Sequence, residues 1–290
     1  MHSFFAGVLL VFISAFGFGL MPILALYAYR SGINVPTLLF LRFGIAAICL
    51  GAYIVVRRIR WTVPRREMLS LFFLGSVLYT LQSTFYFSAV QYIPASLAAL
   101  ILYLYPVLVA LLAVLLEKET FAWRNLAPAL LSLTGIGIVL GAPIDRPDWF
   151  GVSLAFGAAL VYSVYIILGR RVVAKIPAIV TTAFISAFAA VSFLIYGGLT
   201  HSLHLDLQFE AWSLILGIVF FSTILAMATF FAGMDILGST RASILSTIEP
   251  VITVGLSVLL LDEKISWVQG TGAALVIAGT VWIISQRKKS

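Results

Sequence analysis

The sequence predicts an all-α integral membrane protein with ten transmembrane helices in two inverted five-helix repeats. Three observations carry this prediction. Of its 290 residues 62% are hydrophobic and 10% are charged, and mean hydropathy is +1.12, whereas soluble domains average about a quarter charged residues. Apolar runs of about twenty residues follow one another along the chain, the length a helix rising 1.5 Å per residue needs to cross a hydrocarbon core about 30 Å thick. The third observation is that the chain repeats itself 144 residues on.

Pro106, Glu119 and Trp123 recur at the same spacing as Pro250, Glu263 and Trp267, with VLVALLAVLL in the first copy against VITVGLSVLL in the second. The offset extends to both ends of the repeat: Gly7-Val8 falls on Gly151-Val152, Phe12 on Phe156, Ile23-Leu24 on Ile167-Leu168 and Gly135 on Gly279. A shared offset without gaps is the mark of internal duplication, and it divides the chain into repeats at 1–144 and 145–290. The predicted spans are 4–27, 34–56, 68–90, 95–116 and 122–142, then 150–169, 178–199, 211–234, 240–261 and 266–285. None alternates as a barrel strand would, so the spans are helices.

Charge orients them. With the amino terminus inside, fourteen Lys and Arg fall on the inner face, among them Arg57 to Arg66, Arg170, Arg171 and Lys175, against Arg30, Arg146 and Lys264 outside. That bias predicts a multi-pass chain with both termini cytoplasmic, and it accounts for the net charge of +7 without nucleic acid. Met1-His2-Ser3 lacks the basic start of a cleaved signal, so the first run is read as a span. The single Cys49 has no disulfide partner in the chain. His201 and His204 have no Cys or carboxylate partners at ligand spacing, so neither metal nor cofactor is expected.

In chain order, segment one carries small residues around Phe16-Gly17 and then Pro22, a kink that either packs against a neighbour or bends around a cavity. Segment two places Arg42 deep in the span, where it either snorkels outward or faces a wet interior as a functional residue. Segment three sets Tyr79, Gln82, Ser83 and Tyr86 on one helical face, as a cavity lining or as interhelical hydrogen-bonding partners. Segment four brings Tyr103 and the helix-breaking Pro106 to mid-depth, and segment six has Tyr162 beside a small-residue stripe. In segment nine Ser239, Ser243, Ser246, Pro250, Thr253 and Ser257 are predicted to form one polar face along the whole helix, with Glu249 beside it. Segments five and ten, rich in glycine, are expected at the periphery, against each other or in a dimer contact.

Five spans per repeat is an odd number, so the second repeat enters the membrane from the opposite face. Secondary transporters use that plan, with a site at the midplane between the halves. Arg42 and Glu249 lie one in each half and neither is duplicated. They are expected to take the carboxylate and the ammonium of a small amphiphile, with Tyr79, Gln82, Ser83, Tyr86, Tyr103, Tyr162 and Ser246 around it and Pro22, Pro106 and Pro250 as hinges. The alternative is that Arg42 and Glu249 pair with each other and hold the halves together. No phosphate-binding Gly-rich loop is present. A membrane-embedded enzyme acting on lipid would need a nucleophile–base cluster that the scattered acidic residues do not supply.

Ten spans in two repeats, Arg42, the Glu249-Pro250 pair, Glu119…Gly135 and Asp262-Glu263…Gln269-Gly270…Gly279 together resemble the EamA-type branch of the drug/metabolite transporter superfamily, over the whole chain. The resemblance implies a bacterial inner-membrane permease, not an enzyme. It further implies export of amino acids or other small metabolites through a cavity made by segments one to four and six to nine; lipid is expected around the chain, as monomer or homodimer. Substrates of another class, such as sugars, nucleosides or cationic drugs, fit the same plan. Phe16-Gly17 stands where members often have Trp-Gly, and Ala25-Leu26 where they often have a basic residue.

Overall fold

The computed structural model describes residues 2–89, 92–93, 95–116, 123–140, 148–261 and 266–285. Glu119, Asp262 and Glu263 of the repeated motif, and the link at Asp145-Arg146-Pro147, lie outside them. The elements among the described residues are helices, in the order α1 (His2–Arg30), α2 (Val35–Val56), α3 (Arg65–Phe72), α4 (Thr80–Ala89), α5 (Ala95–Leu102), α6 (Tyr105–Leu116) and α7 (Trp123–Leu140). Then come α8 (Trp149–Val173), α9 (Ala178–Leu199), α10 (Phe209–Gly217), α11 (Ala226–Leu237), α12 (Ser239–Leu245), α13 (Glu249–Leu261) and α14 (Trp267–Ser285). Among them seven helical stretches are long and apolar enough to cross a membrane, with α3 and α4, α10 and α11, and α12 and α13 each counting as one. Shorter apolar helices run over Tyr105–Leu116, Leu126–Ile138 and Gly270–Ser285.

The contacts obey the 144-residue offset by exchange. Where α1 packs on α11 and α13, its counterpart α8 packs on α4 and α6, while α2 meets its own counterpart α9 and α7 meets α14. Single residues show the same rule. A Cβ added at Gly7 would meet Ile236 and Leu237, and one added at Gly151 would meet Tyr92 and Ile93, which are the equivalents of that pair. Gly135 lies under Gly272 and Val276, and Gly279 under Pro128 and Ser132, again equivalents. A two-fold axis relating the halves produces such exchange. These glycines are required because the backbones touch: a Cβ at Gly135 would come 2.6 Å from the Gly272 carbonyl oxygen. The expected contact of segments five and ten is the α7–α14 pair.

Two kinds of irregularity recur in both halves. A π-helical stretch, Phe73–Tyr79, joins α3 to α4, and another, Ile218–Leu225, joins α10 to α11, overlapping at the repeat offset. Threonine hydroxyls reach five residues back in each, Thr80 to the Gly75 carbonyl and Thr223 to that of Ile218. The widened turn of a π stretch leaves carbonyls free for other partners. The second irregularity corrects the sequence reading of segment nine. Its helix is not continuous but breaks into a 3₁₀ turn at Ser246–Ile248 before α13, as segment four breaks at Tyr103-Leu104 before α6. Pro106 and Pro250 each stand second in the half-helix that follows, where a missing N–H costs no hydrogen bond. The helix α1, by contrast, runs unbroken past Pro22.

Candidate functional site

A cavity of about 410 Å³ lies on the two-fold axis, within the size range of small-molecule sites. Its position follows from its lining, which contains both members of five equivalent pairs: Phe18 and Tyr162, Met21 and Tyr165, Ser83 and Met227, Tyr86 and Phe230, Tyr105 and Glu249. Tyr79, Gln82 and Arg42 line it also, as do Tyr103 and Thr253.

Arg42 is 3% exposed, so it does not snorkel to an interface. The second π stretch receives it. Its Nε donates to the Thr223 hydroxyl at 2.7 Å and its Nη2 to the Ser222 carbonyl at 3.0 Å, and its guanidinium lies 4.8 Å from the Phe43 ring centroid. Ser222 and Thr223 are themselves fixed, the first by donating to the Gly17 carbonyl at 2.6 Å. Among the described residues nothing accepts from Nη1 of Arg42. The guanidinium is thus oriented from behind, with donor capacity left towards the cavity it lines.

Glu249 opens α13, immediately after the 3₁₀ turn, with its own N–H donating to the Ser246 carbonyl, and the first turn of a helix favours an acidic residue. The Tyr103 hydroxyl lies within reach of its carboxyl. From Tyr103 a ladder of tyrosine rings crosses the site: Tyr103 to Tyr105 at 6.1 Å, Tyr105 to Tyr162 at 4.9 Å, Tyr162 to Tyr165 at 5.8 Å and Tyr165 to Tyr79 at 5.7 Å. Tyr79 in turn meets Phe43, the neighbour of Arg42. No ion pair joins Arg42 to Glu249 among the described residues. The two charges therefore stand as separate poles of one polar wall. Towards the α8 C-terminus Tyr165 and Gly169 pack against Phe231, and Arg170 bridges Asp235 at 3.2 Å.

Of the residues selected from sequence, Arg42, Tyr79, Gln82, Ser83, Tyr86, Tyr103, Tyr162 and Glu249 line this cavity, as does Pro250. Ser246 is outside the lining: its hydroxyl donates to the Ala242 carbonyl at 2.9 Å. Ser243 likewise bonds its own helix, so these two hydroxyls of the polar face read into segment nine are spent on backbone; among its described side chains Pro250 and Thr253 reach the cavity, and Thr253 also donates to the Gly19 carbonyl. Pro106 is buried outside the lining. Sequence reasoning passed over Tyr105, although the repeat offset makes it the equivalent of Glu249. It also passed over Ser222 and Thr223, which sit in an otherwise apolar run, and the apolar lining of Phe18, Met21, Met227, Phe230 and Phe231.

The EamA-like transporter family model matches this chain twice, over residues 5–141 and 149–285. The Escherichia coli "Threonine/homoserine exporter RhtA" is 26% identical over 268 residues, 89% of this chain and 85% of that one. An "Aromatic amino acid exporter YddG" from Ancylobacter novellus is 36% identical over 115 residues, spanning 38% of this chain and 40% of that protein. The Bacillus subtilis "Uncharacterized transporter YyaM" is 25% identical over 83% of this chain and 81% of its own length. A solved crystal structure superposes with a TM-score of 0.79 at 24% identity, covering 96% of each chain, and is alike in fold.

Proposed function

The chain belongs to the EamA-like transporter family, and on that premise we propose that it is a ten-span secondary transporter exporting amino acids or similar small metabolites across a bacterial inner membrane. The observation that carries this reading is the pair Arg42 and Glu249: two opposite charges from opposite halves, lining one cavity and not neutralising each other. A buried charge is costly unless something compensates it. A zwitterion with its carboxylate on Arg42 and its ammonium on Glu249 compensates both. Tyr79, Gln82, Ser83, Tyr86, Tyr103 and Tyr162 complete the polar enclosure, and the names of the two exporters above agree with a substrate of this class.

Residues 1–144 and 145–290 act as the two halves. The family match supports this division, since its two copies are offset by the same 144 residues. Five spans each invert the second half and return the carboxyl terminus to the cytoplasm with the amino terminus. The short helices fit ten crossings: α5 completes α6 across the Tyr103-Leu104 turn, and α7 and α14, of 18 and 19 residues, nearly reach across a core of about 30 Å. Rocking of one half against the other, with bending at the π stretches and at Pro106 and Pro250, alternates access to the cavity.

The test is counterflow of labelled amino acids in proteoliposomes holding the purified chain. Saturable exchange that Arg42→Gln and Glu249→Gln both abolish is the expected result. Parent rates from both variants, correctly inserted, would overturn the assignment of these residues to substrate, and no exchange of any amino acid would overturn the substrate class.

A further inference from the structure

The two long walls of the cavity are equivalents of each other under the two-fold axis, yet their chemistry is opposite. On α8, Tyr162 and Tyr165 carry hydroxyls, whereas their equivalents on α1 are Phe18 and Met21. On α4, Ser83 and Tyr86 carry hydroxyls, whereas their equivalents on α11 are Met227 and Phe230. Every one of these four pairs lines the cavity with both members, and in every pair the polar member is on the α4–α8 side. A duplicated scaffold alone would have made the walls alike, so the difference belongs to this sequence.

We propose that the substrate is an amino acid with a large apolar side chain, its charged groups on Arg42 and Glu249 at the two ends of the tyrosine ladder and its side chain on the α1–α11 wall. This rests on the amino-acid reading above and deepens it. Met227 is 3% and Phe230 4% exposed, so the apolar wall is packed from behind and presents a formed surface. Thioether and ring carbons there gain from covering apolar area. A hydroxyl on the ligand's side chain would be stripped of water against them with no partner supplied by these residues, which costs affinity. The flexibility of two methionines favours variation in shape among apolar side chains over selection of one.

The experiment is competition in counterflow, with phenylalanine, leucine and methionine set against threonine, homoserine and serine. The apolar group is expected to compete better by about tenfold to a hundredfold, as burial of one large apolar side chain predicts. Met227→Ser and Phe230→Tyr, each placing on the apolar wall the residue found at its equivalent, are expected to narrow that ratio, whereas Tyr86→Phe on the polar wall weakens all substrates without reordering them. Equal or better competition by threonine and homoserine overturns the inference while leaving amino-acid transport standing. Unchanged ranking in both wall variants, shown monodisperse and inserted, overturns it as well. Failure of every amino acid to exchange removes the underlying function, and this inference with it.

Discussion

The break in segment four and the break in segment nine occupy the same place in the repeat and have opposite contents. Each separates two half-helices, and each is followed by a proline in the second position of the new helix. At the first break Tyr105 is 4% exposed. Its hydroxyl points to the Ser243 carbonyl at 3.5 Å, and the Ser163 hydroxyl is shared between its carbonyl, at 3.3 Å, and that of Ala159, at 2.7 Å. At the second, the equivalent of Tyr105 is Glu249 and the equivalent of Ser163 is Gly19, so no hydroxyl arrives from the neighbouring helix. Thr253 of the same helix instead shares its hydroxyl between the Glu249 and Gly19 carbonyls, each at 3.1 Å. Both breaks line the cavity, the first with the tyrosines Tyr103 and Tyr105 and the second with a carboxyl. Arg42 repeats the lesson: its equivalent Ser186 is buried with a hydroxyl that has no partner among the described residues, while Arg42 itself is held by the π stretch of the other half. The duplicated backbone supplies positions, and chemistry is installed in only one copy of each.

The comparison breaks first, and hardest, at the charges. Glu249→Gln is expected to lower transport on the order of a hundredfold, as truncation of a desolvated charge contact does, and Tyr105→Phe by far less. Equal losses in proteoliposome counterflow would mean that the Tyr105 hydroxyl matters as much as the Glu249 carboxylate. Next in size, Gly135→Val and Gly279→Val each force a side chain into backbone contact between α7 and α14, which costs about 1–3 kcal/mol. Thermal unfolding in detergent should show similar losses for the two, because their contacts are equivalent; a loss in one alone would sever the symmetry at this interface.

Smaller effects sharpen the contrast between the breaks. Ser163→Ala removes a hydroxyl shared between two buried carbonyls and should cost about 1 kcal/mol, read as a lower melting temperature with the substrate affinity intact; a shift in affinity instead would show that this hydroxyl sets the shape of the cavity at Tyr105. The least is expected at Arg170–Asp235, whose equivalents are Leu26 and Gln91. Both side chains of the bridge are partly exposed, so Arg170→Gln should change stability by no more than about 1 kcal/mol. A larger fall would mark the bridge as a structural lock.

The sequence by itself determined the duplicated plan, because an offset of 144 residues and apolar runs of membrane-crossing length are properties of the chain that no packing can alter. It also determined which charges needed explanation, since Arg42 and Glu249 lie far from any segment end, and it placed Tyr79, Gln82, Ser83 and Tyr86 together because four residues at helical spacing share a face. Tertiary structure decided the rest. Hydroxyls in a helix can bond their own backbone or a neighbour at nearly equal cost, so spacing could not reveal that Ser243 and Ser246 turn inward to their helix while Thr253 reaches the cavity. The π stretches carry no periodic signature, and without them the hold on Arg42 by Ser222 and Thr223 could not be read. The opposition of a hydroxyl-bearing wall and an apolar one exists only once a two-fold axis brings residues 144 apart to opposite sides of one space.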